Sequence, residues 1–307
     1  MGQETDVRFA YTSLGDLHRP DIPWLWKNQD LIIWARDAGY QSVEFHSFRA
    51  AAQEVLKQDI EIVASLDKIK SGHVIFNPYA TVWKVLARKQ DPLRPGRKLD
   101  FYNLALASNK TAMKALHKLE EKVSGKFPVV TYPFEESGEN PYGKYKTPLL
   151  QTHPSVFNDE RTAEILTMLV KLGIYSGVVW DTVHALEATE SGHRPLGDYR
   201  DSLVKLLEAG VIKEVHMQLG RTVHLDPFID NLRWLKDATG ESPRYNNDLG
   251  QMLRIVKEHD PSIPIVIEVQ ISGLIQTGML KLTDLLDPKL EAVAKIHQQL
   301  VHYAKAA

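Results

Sequence analysis

Asp181 and His184 stand three residues apart at the end of the run Gly177-Val-Val-Trp-Asp-Thr-Val-His184. Val178, Val179 and Trp180 read as a short, fully buried strand, so its end delivers a carboxylate and an imidazole into one small volume. Hard or borderline divalent metals accept that ligand pair. Two later apolar stretches end in the same manner, Glu214-Val-His216-Met in a histidine and Pro264-Ile-Val-Ile-Glu268-Val in a glutamate. Three successive strand ends offering Asp/His, His and Glu point to one shared site at one end of a parallel sheet. Each residue has a plainer alternative: Asp181 and His184 could cap the next segment, and His216 could be a satisfied core histidine. Glu268 is harder to explain that way, because an ionised carboxylate after three β-branched residues is costly without a partner.

The elements that must position these groups follow from periodicity and punctuation. Strands are expected at Val7 to Thr12, Gln41 to His46, Gly72 to Tyr79, Phe127 to Tyr132, Pro148 to His153 and the stretch around Trp180, then before His216 and at 264–269. Glu44 and His46, two apart on the second strand, share a face and serve either substrate contact or a structural hydrogen bond. Helical patterns lie between the strands, at 23–38, 50–56, 60–69 and 99–123. Another starts from an Asn158 or Asp159 cap and runs to Leu172, with Gly173 just past its end. The rest lie from Asp198 or Tyr199 to near Gly210, at 247–257 and at 287–304. The segment 135–147, rich in Gly, Pro and charge, reads as an extended loop. Eight strands alternating with helices favour an α/β fold, a (β/α)8 TIM barrel spanning 1–307 as a single domain. A Rossmann-like open sheet is the runner-up, weakened because no G-x-G-x-x-G or Walker sequence follows a strand.

Composition narrows the chemistry. The 307 residues are 43% hydrophobic and 25% charged, with a formal charge of −2, so no global basic field favours nucleic acid. There is no cysteine, which excludes disulfides, thiolate zinc sites and thiol nucleophiles and leaves a metal to His, carboxylate or amide oxygen. The N-terminus lacks a basic segment followed by an apolar one, and no run of about 18 apolar residues would span a bilayer. A cytoplasmic protein with no membrane partner is the expectation.

In order and spacing the strand ends resemble the xylose-isomerase-like TIM barrels, which include sugar isomerases, ketose epimerases, inosose dehydratases and endonuclease IV. Asp181-Thr-Val-His184 matches that family's sixth strand, Val215-His216 its seventh, Ile267-Glu268 its eighth and Val43-Glu44 its second. The resemblance implies a metal held by a strand-five Glu with Asp181, His216 and Glu268, while His184 contacts sugar oxygens. At strand five this chain departs, with Gln151 at the aligned position. An amide oxygen can bind a metal but cannot act as a base near neutral pH. His153, on the same side of the strand as Gln151, is the alternative ligand or base. Asn77-Pro-Tyr79 and Tyr132-Pro133 offer no histidine on strands three and four, so a three-zinc nuclease site is incomplete.

These readings converge on a divalent-metal-dependent isomerase, epimerase or lyase acting on a sugar, polyol or related hydroxy-carbonyl compound. The ion would be Mn²⁺, Mg²⁺, Co²⁺ or Zn²⁺, with Asp181, His216 and Glu268 as ligands and Gln151 or His153 completing the shell. Glu268 would double as base, and His184 would orient or protonate a substrate oxygen. Arg221 either holds an anionic or hydroxylated substrate or is a solvated surface charge. An endonuclease IV-like phosphodiester hydrolase is one alternative, suggested by the basic cluster at 88–98 with His224 and Asp226. A non-catalytic barrel with a residual metal site is the other, suggested by Gln151. A homo-oligomer is compatible with all three. Because the ligands lie at strand ends, Asp181→Ala and His216→Ala are expected to leave the barrel folded.

Overall fold

A computed structural model of the chain describes residues 5–12, 37–40, 42–47, 70–76, 121, 128–131, 147–152, 161–182, 184–185, 196–219, 248–269, 280–281, 283–284 and 291–306. Within them lie eight strands: β1 (Val7–Thr12), β2 (Ser42–Ser47), β3 (Lys70–Phe76), β4 (Val129–Thr131), β5 (Leu149–Gln151), β6 (Gly177–Asp181), β7 (Ile212–Leu219) and β8 (Ile265–Val269). Four helices are described with them: α1 (Thr162–Lys171), α2 (Leu196–Glu208), α3 (Asp248–His259) and α4 (Glu291–Ala306). The helices expected before β4, the 135–146 segment, the basic cluster, and the pair His224 and Asp226 lie outside the described residues, apart from Asp37, Ala38 and Glu121.

Each strand pairs in parallel with the next, and β8 pairs back onto β1 through Val7↔Ile265, Arg8↔Val266 and Phe9↔Ile267. The structure is therefore an α/β assembly in which parallel neighbours run in chain order. β6 shows why its sequence carries no alternation: Val178, Val179 and Trp180 are each fully buried, as strands covered on both faces must be. Trp180 reaches outward to α3, where its indole Nε1 donates to Met252 Sδ at 3.4 Å. Gly177 opens β6 because a side chain there would run into the Lys213 side chain, with Leu149 Cδ2 at 3.0 Å and the Val211 carbonyl oxygen at 3.1 Å as the next neighbours.

α1 and α2 end alike. In α1, Gly173 takes a φ of 72°, its amide donates to the Val170 carbonyl at 2.9 Å, and Ile174 donates to Leu169 at 3.1 Å. In α2, Gly210 has a φ of 66°, with bonds to Leu207 at 2.8 Å and from Val211 to Leu206 at 3.2 Å. This pair of crossed bonds around a left-handed residue satisfies the last carbonyls and turns the chain into the next strand. The start of α1 differs from the sequence expectation: Arg161 occupies the N-cap position without a side-chain cap bond, and Asn158 and Asp159 are outside the described residues. β7 also differs, because His216 does not close it. Met217, Gln218 and Leu219 continue the strand, held by pairing with Ile267, Glu268 and Val269 of β8.

α4 packs on β1 and β8 and buries His297, whose Nδ1 lies 2.6 Å from the Tyr40 hydroxyl. Burial lowers the His297 pKa to about 3 and raises that of Tyr40 well above its ordinary value. The imidazole is thus neutral when folded and takes a proton near pH 6.5 when unfolded. The unfolded chain binds the extra proton, so stability is lost as pH falls from about 6.5 toward 3. Replacing His297 with glutamine should flatten the stability-versus-pH curve in that window by up to about 1.4 kcal/mol per pH unit. Urea unfolding at a series of pH values measures this, and an unaltered slope would remove His297 from the acid response.

Candidate functional site

The site is built from the carboxyl halves of β5 to β8, and register decides who meets whom. Gln151 pairs with Val179, Asp181 with His216, His216 with Val266, and Gln218 with Glu268. Residues two apart on a strand share a face. Gln151, Asp181, Glu214, His216 and Glu268 therefore fall on one side of neighbouring strands, and all five are buried.

Around Asp181 the contacts form a closed group. Gln151 Nε2 donates to Asp181 Oδ2 at 2.8 Å, and the amide of His184 donates to Oδ1 at 3.0 Å. The Asp181 amide in turn donates to the Thr152 hydroxyl at 2.8 Å. The capping role is therefore present: the carboxylate holds the turn that carries His184. The histidine ring sits 2.8 Å from the Thr152 carbonyl through Nδ1. A carbonyl only accepts, so Nδ1 carries the proton and Nε2 is left as the other ring nitrogen. His184 Nδ1 also lies 3.4 Å from Asp181 Oδ2.

A second group runs across β7, β8 and β1. His216 Nε2 lies 2.9 Å from Glu214 Oε1, and its Nδ1 lies 3.1 Å from Glu268 Oε1. The second contact has ion-pair length but not the direction of a hydrogen bond. Glu214 Oε2 accepts from Arg8 Nη1 at 3.0 Å, and Arg8 is also paired with Asp6 at 2.7 Å. The two groups are joined where the Thr182 hydroxyl donates to the His216 carbonyl at 3.1 Å.

Gln151, Asp181, His184, His216 and Glu268 are thus brought into one region, as their strand ends suggest. Glu44 and His46 lie on β2 in register with Ala10 and Thr12 of β1, while their side chains, His153 and Arg221 lie outside what is described. Glu214, Arg8 and Thr152 join the site without being marked by the strand-end pattern. A signal existed for Glu214, since a carboxylate two residues before a strand histidine shares its face. Arg8, inside the apolar run Val-Arg-Phe-Ala-Tyr, gave a weaker one.

In donor type the site suits a divalent ion: carboxylates, an imidazole and an amide oxygen. Two donors cis on one ion at roughly 2.1 Å stand about 3.0–3.4 Å apart, and His216 Nδ1 and Glu268 Oε1 are separated by 3.1 Å. Among the described residues no three His, Asp or Glu side chains form a ready-made metal cage. Asp181 instead directs its oxygens to Gln151 and the His184 amide.

No protein-family model and no curated protein matches this chain. Solved structures do. The probable 3-DHS dehydratase AsbF from Bacillus anthracis matches at 13% identity over 94% of this chain and 98% of its own, with a TM-score of 0.46. A xylose isomerase-like TIM barrel protein from Mycobacterium smegmatis, in complex with magnesium, matches at 11% identity, covering 98% and 97%, with a TM-score of 0.40. SacUVDE matches at 12% identity, covering 91% and 99%, with a TM-score of 0.41. The second bears the name of the family that the strand ends resemble. At these scores the likeness carries no inference about the site, which rests on its own residues.

Proposed function

We propose that the chain is a single-domain (β/α)8 TIM barrel and a divalent-metal-dependent isomerase, epimerase or lyase for a sugar, polyol or related hydroxy-carbonyl compound. The observation that carries this reading is the setting of His216, its Nδ1 3.1 Å from the Glu268 carboxylate and one strand across from Asp181. Donor chemistry supports it: the buried carboxyl groups of Asp181 and Glu268 stand with the His216 imidazole on one side of neighbouring strands, a set of oxygen and nitrogen donors that divalent ions accept.

Asp181, His216 and Glu268 would hold the ion, with the Gln151 amide oxygen or His153 as a further donor; Mn²⁺, Mg²⁺, Co²⁺ and Zn²⁺ all suit this set. The chemistry such a cofactor supplies when bound is Lewis-acid polarisation of substrate oxygens, which acidifies the hydrogen beside a carbonyl. Glu268 removes that hydrogen as general base. His184, its Nδ1–H fixed on the Thr152 carbonyl, turns Nε2 to a substrate hydroxyl and orients it. Glu44, His46 and Arg221 bind the remaining hydroxyl groups. Gln151 gives no second base, so the reading favours one-base isomerisation or dehydration over two-base epimerisation.

The test is deuterium wash-in from heavy water into a panel of ketoses and hydroxy-acids, using protein loaded with Mn²⁺ or Co²⁺ and checked by elemental analysis. Exchange at one carbon beside the carbonyl is expected, with a loss of about 100-fold or more in Glu268→Gln. Protein that binds no divalent ion and exchanges no substrate hydrogen would leave a non-catalytic barrel.

A further inference from the structure

Glu214 has no part in the chemistry proposed above, yet it is a fully buried carboxylate with both oxygens engaged. Oε1 meets His216 Nε2 at 2.9 Å and Oε2 meets Arg8 Nη1 at 3.0 Å. Arg8 is itself held, its Nε and Nη2 each 2.7 Å from Asp6 Oδ2. We infer that Glu214, clamped by Arg8, is the positioning residue that decides which nitrogen of His216 faces the site. It binds Nε2–H and thereby turns Nδ1 to Glu268.

Donors and acceptors decide the tautomer. An ionised carboxylate only accepts, so the nitrogen beside Glu214 must carry the proton, and a neutral ring then has its lone pair on Nδ1. That is the nitrogen 3.1 Å from Glu268 Oε1, where a cation shared with Glu268 would find both donors. Glu214 and His216 are two apart on β7 and share its face, while Arg8 reaches them from β1, on the far side of β8. Arg8 thus fixes the carboxylate from a different strand, and neither oxygen is left to rotate. A histidine ligand held through its second nitrogen by a carboxylate is more basic and fixed in orientation, and loss of such a partner typically weakens metal binding about 10- to 100-fold. The metal half of this inference rests on the function proposed above; the tautomer half does not.

Glu214→Gln separates the possibilities. Arg8 donates and so keeps the amide oxygen, which leaves the amide NH₂ facing His216 Nε2. That nitrogen must then accept, and the proton moves to Nδ1. Long-range ¹H–¹⁵N correlation on protein labelled at histidine nitrogens reads the tautomer, and titration with Co²⁺ alone reads affinity. The wild type is expected to show the Nε2–H form. Glu214→Gln should show the Nδ1–H form and bind Co²⁺ about 10- to 100-fold more weakly. The double variant Arg8→Met with Glu214→Gln lets the amide turn round and should restore Nε2–H, a rescue that a merely structural role would not produce. A wild-type ring protonated on Nδ1, or unchanged Co²⁺ affinity in Glu214→Gln, overturns the inference, and the wild-type measurement stands even if a variant fails to fold. Tautomers as expected in a wild type that binds no Co²⁺ would uphold the positioning role and defeat the metal reading.

Discussion

His216→Ala is expected to abolish divalent-ion binding and to cost about 3–5 kcal/mol of stability. The ring is fully buried, its Nε2 serves Glu214 at 2.9 Å and its Nδ1 stands 3.1 Å from Glu268. Its removal leaves the Glu214 and Glu268 carboxylates facing a cavity without the imidazole, and taking one partner out of a buried polar pair is the expensive outcome. Strand-end ligands alone would give a different expectation, a variant that loses its metal and keeps its stability. Burial in mid-strand is what changes it. Urea unfolding and calorimetric titration with Mn²⁺ measure the two effects. Free imidazole, small enough for the cavity, should restore part of both. Full stability with full ion binding in His216→Ala would mean that the ring is neither a ligand nor a structural partner.

What the sequence made legible was the part of the fold that depends on local chemistry. The β6 run is apolar on both faces, and glycine follows each of the helices preceding β6 and β7. Those features are written in adjacent residues, and the element order and parallel pairing follow from them. The grouping of Asp181, His216 and Glu268 was legible for a similar reason, since each terminates or punctuates an apolar strand. Glu214 was legible only in part: its spacing from His216 puts both on one face, but a half-polar stretch does not say that this face is buried. Its burial depends on Arg8, 206 positions away in the chain. The extension of β7 beyond His216 was hidden in the same way: Met217-Gln-Leu219 has no strong strand signal, and pairing with β8 supplies it. Long-range register is a tertiary fact, and it is what separates a histidine at a strand end from one held mid-strand between two carboxylates.

Gln151→Glu should reverse the pH response of stability and tighten divalent-ion binding about tenfold or more. In the wild type, Gln151 Nε2 donates to Asp181 Oδ2 at 2.8 Å. The substitution exchanges that donor for a second acceptor and sets two carboxyl groups against each other in a buried site. Two carboxylates in such contact cannot both ionise without a proton or a cation between them. The folded variant therefore holds a proton that the unfolded chain releases near pH 4. A proton affinity raised by folding gives stability that is present at low pH and lost as pH rises through the pair's upper ionisation. The metal-free variant should match the wild type near pH 4 and fall behind it by several kcal/mol at pH 8. Saturating Mn²⁺ or Zn²⁺ should recover that loss, because the added charge becomes a ligand in place of a neutral amide. Melting curves at pH 4, 6 and 8, with and without the ion, read the whole pattern. A gain of two-sided deuterium exchange on a ketose would show that the new carboxylate also acts as a second base. A variant with wild-type melting at pH 8 and unchanged ion affinity would show that position 151 lies outside the site.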